Sequence, residues 1–244
     1  MNPLLKMGLF SKVCMRSLAA YGKIRAGKFK NAPQEIYTEI CREWSTSIFN
    51  DLGYELECTG EKPTEEPCIY LGNHVSFLDI PLVWTSAMGS YVSKKEIRYW
   101  PIIGMGAAAL GTIFVDRSSV TSRANVLNHL KEEILQNGKR ICIYPEGTSS
   151  VEGTPWKWGA FRLAQKHNIT VQPFRLYYEP LRDTAYMGDD TLAIQFWKML
   201  ESPQRLASIE WGKAQKITDF KKDAEAMEKW VRESFGKRRN SNKT

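Results

Sequence analysis

A chain of 244 residues is long enough for one α/β domain with a sizeable core, and 43% hydrophobic with 25% charged residues excludes wholesale disorder. The net charge of +7 asks for an acidic partner, whether a membrane surface, a phosphorylated substrate or nucleic acid. The five cysteines, Cys14, Cys41, Cys58, Cys68 and Cys142, form no C-x-x-C pair, so neither a metal site nor a disulfide framework is expected and a reducing compartment is.

Residues 1–34 carry seven basic side chains and no acidic one. Wound as a helix, Met7, Phe10, Cys14, Leu18 and Tyr21 share a face opposite Lys12, Arg16 and Lys23. Such a basic amphipathic helix suits an anionic leaflet; a core-packing helix and a transit peptide are the alternatives. A second helix is expected over residues 34–51, where Ile36, Ile40, Trp44 and Ile48 recur every fourth position. No stretch reads as a cleavable signal. The charge-free run 99–115 is interrupted by Pro101, Gly104, Gly106 and Gly111 and falls short of the ~20 residues of a membrane span, so it is expected to be core or interface. Gly104 to Ala109 fits a dinucleotide fingerprint only formally, because no strand precedes it; close helix packing is expected there.

Strands are expected at 54–58, 68–71, 91–93, 112–115, 140–144 and 170–176, alternating with helices at about 78–87, 121–136 and 161–167. A further helix at 191–200, capped by Asp190, an edge strand at 206–211 and a helix at 219–235 complete the chain. This alternation predicts one α/β domain over residues 54–235, with a mixed, largely parallel sheet flanked by helices. Ahead of it stands an N-terminal amphipathic helical pair, residues 1–53, and behind it a basic tail, 236–244.

In Gly72-Asn73-His74-Val75-Ser76-Phe77-Leu78-Asp79, His74 and Asp79 stand five positions apart. On one continuous helix they would point roughly 140° apart, so they meet only if the chain bends from strand to loop to helix between them. A carboxylate brought back in this way fixes the imidazole tautomer and leaves the other ring nitrogen to take a proton from a hydroxyl. Asp116-Arg117 and Pro145-Glu146-Gly147-Thr148 follow two later strands, and sites in parallel sheets form beyond the carboxyl ends of strands. Taken singly, Asp116-Arg117 reads as a surface ion pair and Glu146 as a turn residue. Convergence with His74 makes them site candidates, whereas His129 and His167 receive no role. Nucleic acid is not expected, because aromatics are not interleaved with Lys and Arg.

Asn73-His74 with Asp79, Gly111 to Arg117, Tyr144 to Thr148 and Val171-Gln172-Pro173-Phe174 resemble, in order and spacing, four blocks of the glycerolipid acyltransferase family that includes bacterial 1-acylglycerol-3-phosphate acyltransferases. Lys94-Lys95-Glu96 and Lys157 to Phe161 resemble intervening positions. The resemblance spans about residues 60–180. It implies transfer of an acyl chain from acyl-CoA or acyl-carrier-protein to the free hydroxyl of a lysolipid, with 1-acyl-sn-glycerol-3-phosphate leading. No cofactor or metal is implied, and the enzyme would sit at the cytoplasmic face of an anionic membrane.

It further implies His74 as general base, Asp79 as its support, Arg117 and Glu146 as acceptor-binding groups, and the Gly147 and Thr148 backbone as oxyanion donors. Ser149 departs from the family, which usually has arginine there. That departure keeps lyso-ornithine lipid and other lysophospholipids open as acceptors. A non-catalytic membrane-surface protein and a hydrolase are the readings from other classes.

Overall fold

The computed structural model describes residues 2–100, 103–116, 120–149, 151, 153–185, 192–201 and 204–241, with the backbone alone for 120–124, 192–193 and 234–241. The first helix, α1 (Pro3–Phe29), is capped by Asn2, whose side chain accepts the Leu4 amide N–H at 3.0 Å. It packs on α2 (Gln34–Asp51), and the division of its faces corrects the expected one. Lys12 and Arg16 both bind the Asp51 carboxylate, at 2.8 and 2.5 Å, and Lys23 binds Glu43, so these cations face α2 rather than a leaflet. Although burial opposes it, the two cations hold the Asp51 carboxyl below its ordinary range. Leu9, Val13, Ala20 and Ile24 turn inward. Leu4, Met7, Met15, Leu18 and Phe29, each at least 47% exposed, form an apolar stripe on the outside.

Among the described residues the strands are β1 (Tyr54–Gly60), β2 (Cys68–Leu71), β3 (Ser90–Lys94), β4 (Ile113–Val115), β5 (Ile141–Ile143), β6 (Thr170–Glu179), β7 (Arg205–Trp211) and β8 (Gln215–Lys216). They form one sheet in the order β1-β7-β6-β2-β5-β3-β4, with β8 beside β6. The pairs β1·β7, β2·β6, β2·β5, β3·β5 and β3·β4 are parallel, while β6·β7 and β6·β8 are antiparallel. The expected single α/β domain with a largely parallel sheet is therefore found. One strand expectation fails: β7 is not an edge but lies between β1 and β6. Its alternation resembled that of an edge strand, whereas Ala207, Ile209 and Trp211 are buried.

Both faces of the sheet are covered, which explains the continuous apolar run of β2. Cys68 and Tyr70 enter one core with Ile48 and Phe49 of α2, Leu82 and Val83 of α3 (Asp79–Trp84), and Phe196 and Met199 of α8 (Leu192–Met199). Ile69 and Leu71 enter the other, against Leu130 and Ile134 of α5 (Val120–Leu135), Phe161 and Ala164 of α6 (Gly159–His167), and Met227 and Val231 of α9 (Phe220–Ser241). Each fully buried Leu, Ile, Val, Phe or Met side chain among these contributes about 1.5–3 kcal/mol.

The Gly104 region begins α4 (Ile103–Ala109), where a Cβ would come within 2.3 Å of the Arg98 carbonyl oxygen, so close packing rather than a nucleotide explains the glycine. α7 (Leu181–Thr184) follows β6 and has no counterpart in the sequence expectation. α9 runs to Ser241, past Gly236 where a basic tail was expected to begin. The Asp190 cap lies outside the described residues. Among the described residues no helix is long and apolar enough to cross a membrane.

Candidate active site

β2 and β5 are parallel neighbours with Leu71 paired to Ile143, and His74 and Glu146 each lie three residues past that pair. Equal offsets from paired strand ends bring the two loops to the same edge of the sheet. Gly72 opens the first loop because the Phe174 ring lies where its Cβ would be, 2.2 Å from the nearest ring carbon. Asn73 then clamps the loop to β6: its Nδ2 donates to the Leu176 carbonyl at 3.0 Å and its Oδ1 accepts the Leu176 amide at 2.8 Å. Pinned to the backbone N–H and carbonyl of one residue, Leu176, the loop carries His74 to the rim.

The expected bend exists, and it brings His74 and Asp79 together. Nδ1 of His74 lies 2.6 Å from Oδ2 of Asp79 at the start of α3. The same oxygen accepts the amides of Val75 and Ser76, at 2.7 and 3.0 Å. Oδ1 accepts the Tyr178 hydroxyl at 2.8 Å. Asp79 is fully buried, and an acceptor-only carboxylate with these donors requires the hydrogen on Nδ1. Nε2 is thereby left with its lone pair on a side chain that is 22% exposed. The imidazole stacks on Tyr144, with ring centroids 4.2 Å apart and planes 10° from parallel. This arrangement can accept a proton from a hydroxyl and hold the resulting imidazolium.

Glu146 is 5% exposed, and burial pushes its carboxyl up to about 7. Arg232, the Thr154 backbone and the nearby Trp156 indole oppose this in part, and the Asp79 charge reinforces it. Glu146 Oε2, the Trp156 indole N–H and the Tyr144 hydroxyl are buried without a hydrogen-bond partner. Gly147 has φ +76°, a conformation that favours glycine, and its amide donates to the Tyr144 carbonyl at 3.0 Å. This turn engages one of the two amides expected as oxyanion donors and leaves Thr148 to carry that expectation. α9 braces the following segment: Arg232 donates to the Thr154 carbonyl, and Glu228 accepts the Trp156 amide.

Arg117 lies outside the described residues. Its neighbour Asp116, after β4, binds Lys95 at 2.5 Å. Tyr178, the Tyr144 stack and the α9 brace were missed in the sequence. The inward alternation Phe174, Leu176, Tyr178 was the available signal for the first.

The sequence signature of the Acyltransferase family matches residues 55–177. The chain is 32% identical over 178 residues to the Lyso-ornithine lipid O-acyltransferase of Pseudomonas aeruginosa, covering 70% of this chain and 67% of that one. A 1-acyl-sn-glycerol-3-phosphate acyltransferase of Neisseria gonorrhoeae is 34% identical over 134 residues, 52% of this chain and 50% of that one. Its counterpart in Saccharomyces cerevisiae is 33% identical over 129 residues, 50% of this chain and 43% of that one. The chain thus spans about two thirds of the first relative and half or less of the other two. The crystal structure of the 1-acyl-sn-glycerophosphate (LPA) acyltransferase PlsC from Thermotoga maritima shares the fold, with a TM-score of 0.77 at 17% identity over 98% of this chain and 96% of that one. With the family signature running from β1 into β6 and the shared fold around it, the chain belongs to the Acyltransferase family and is an acyltransferase.

Proposed function

We propose that the protein transfers an acyl chain from a thioester of CoA or acyl-carrier-protein to the free hydroxyl of a lysolipid. The observation that carries this reading is the Nδ1–Asp79 bond, which leaves Nε2 of His74 as the proton acceptor at the rim. The acceptor oxygen attacks the thioester carbonyl as its proton passes to Nε2. The tetrahedral oxyanion, for which the Thr148 amide is the proposed donor, collapses with C–S cleavage. The departing thiolate takes the proton back from His74, leaving an ester and a thiol. A partly neutral Glu146 can both accept from and donate to an acceptor hydroxyl near neutral pH. Arg117 is proposed as a cationic ligand for an anionic head group.

For the acceptor, 1-acyl-sn-glycerol-3-phosphate and lyso-ornithine lipid are the two readings. Two observations favour the second: Ser149 stands where the family usually has arginine, which removes one charge from the set available to an acceptor phosphate, and the Pseudomonas similarity extends over 70% of the chain. The test is turnover of purified protein and its His74→Ala variant with both lysolipids and both classes of donor. We expect a loss of about 10³-fold or more in the variant, with the greater kcat/KM for lyso-ornithine lipid. Equal turnover by the variant removes the mechanism, and preference for the phosphate acceptor reverses the ranking.

Membrane attachment is part of the same proposal, through the outward stripe of α1 rather than its basic face. Tyr99, Ile103, Met105, Ile194 and Trp197 are further exposed apolar side chains, and α4, which carries Ile103 and Met105, packs against α1. A Met7→Glu, Leu18→Glu double variant should keep its stability within ~0.5 kcal/mol yet co-sediment less with anionic vesicles. Unchanged co-sedimentation would refute α1 as the contact.

A further inference from the structure

β6 continues three residues beyond the stretch that its sequence pattern marks, and the last inward side chain of that extension is Tyr178. Its hydroxyl reaches the Asp79 oxygen that His74 does not use. We propose, resting on the reading of His74 as the base, that Tyr178 is a positioning residue for acyl transfer, which acts on His74 by orienting and partly neutralising the Asp79 carboxylate.

The two carboxylate oxygens are unequally served. Oδ2 takes the imidazole and two backbone amides, while Oδ1 takes the Tyr178 hydroxyl as its donor among the described residues. A carboxylate with no exposed surface cannot replace a lost donor by turning toward solvent. The phenol therefore fixes the rotation of the carboxylate, and with it the direction in which Oδ2 meets the imidazole. It also draws negative charge toward Oδ1, which limits how strongly the pair retains a proton.

Tyr178 is itself held. Tyr54 packs edge-on against its ring, with centroids 6.5 Å apart, and the Tyr54 hydroxyl lies 2.7 Å from Thr184 Oγ1. The Thr184 carbonyl accepts Ser76 Oγ at 2.8 Å, closing the circuit back to the loop whose amides serve Asp79. β1, β6, α7 and the His74 loop thus share one buried polar frame with Tyr178 at its centre.

The titratable groups around Asp79 are His74 in its own loop, Tyr178 of β6, Tyr91 of β3, Cys142 of β5, and Tyr144 and Glu146 beyond it. Burial raises the phenols and the thiol well above their ordinary range, so they stay neutral while activity is measured and Tyr178 remains a donor. Glu146 does change charge in this window, and it does so alike in enzymes that differ only at Tyr178.

The experiment measures kcat, KM and the pH profile of kcat/KM between about pH 5 and 9 for the wild type, Tyr178→Phe and Tyr54→Phe, using the most active donor and acceptor pair. Tyr54→Phe is the control, since it removes another buried tyrosine hydroxyl, one that serves Thr184 instead of the carboxylate. Tyr178→Phe should lose about tenfold in kcat with little change in either KM, and the midpoint of its acid limb should rise by about 0.5–1 pH unit. Tyr54→Phe should lose stability and keep the wild-type midpoint.

Should Tyr178→Phe fail to fold, site-specific Tyr178→3-fluorotyrosine keeps the shape and strengthens the donor, and the midpoint should then fall. A wild-type midpoint in the folded Tyr178 variant, or a rate loss no larger than that of Tyr54→Phe, overturns the proposal. If His74→Ala remains fully active, the reading beneath it fails instead. His74→Ala inactive with Tyr178→Phe unchanged removes Tyr178 alone.

Discussion

The two loops that frame the site treat their polar groups in opposite ways. After β2, Asn73 is bonded at both ends of its amide, Ser76 Oγ reaches a backbone carbonyl, and Asp79 receives donors on both oxygens. After β5, the Tyr144 hydroxyl, one Glu146 oxygen and the Trp156 indole N–H are buried without a completed hydrogen bond, although the indole lies near enough to the Glu146 carboxyl to favour its charged form. Each such unmet group costs about 1–3 kcal/mol. The first loop is therefore a finished polar fixture, as the proposed role of His74 requires, while the second keeps hydrogen-bonding capacity, as the proposed binding of an acceptor hydroxyl requires.

The sharpest way to break this contrast is to disturb the finished side. Asp79→Asn keeps the shape but removes the anion and sets an amide among donors that need an acceptor. A fall in kcat of about 10³- to 10⁴-fold is expected, with near-native circular dichroism. Activity within tenfold of wild type would mean that the fixture does not serve the chemistry.

A smaller and opposite effect is expected on the open side, where Glu146 holds a proton more tightly folded than unfolded. Its contribution to stability is complete below the ordinary glutamate range and is lost as pH rises through about 7. Glu146→Gln should accordingly unfold at higher denaturant than wild type at pH 8, by about 1–3 kcal/mol, and show little gain at pH 4.5. Its kcat/KM for the lysolipid should fall. Equal stability at both pH values would show that the carboxyl carries no burial penalty.

Much of this was legible in the chain, and what was not has a common cause. The strand, loop and helix that deliver His74 and Asp79 are consecutive, so spacing alone required the bend between them. The position of β7 depends on pairing with β1, whose Tyr54 meets Arg205 from far along the chain, and alternation within β7 carries no trace of that partner. The same holds for α1. Its basic residues looked outward-facing because their counter-charge, Asp51, belongs to the next helix. Tyr178 was lost through three residues of strand length, although the inward rhythm from Phe174 continues to it. Orphaned groups such as Glu146 Oε2 have no sequence signature, because a missing neighbour is a property of the packed interior.

Near the start of the chain, Lys6 is nearly buried, donating to the Trp197 carbonyl and to Glu201 at 3.2 Å each and lying over the Trp197 ring. Ten residues on, Arg16 grips Asp51. A rod about 40 Å long is thus bolted to two different parts of the body at separate points. Cutting it away would strip a counter-ion from each and open the interior at Ile24, so a shortened protein is not a bare catalytic unit but a damaged one. Solubility gained by trimming this end should be judged against turnover, because the piece removed also braces the scaffold.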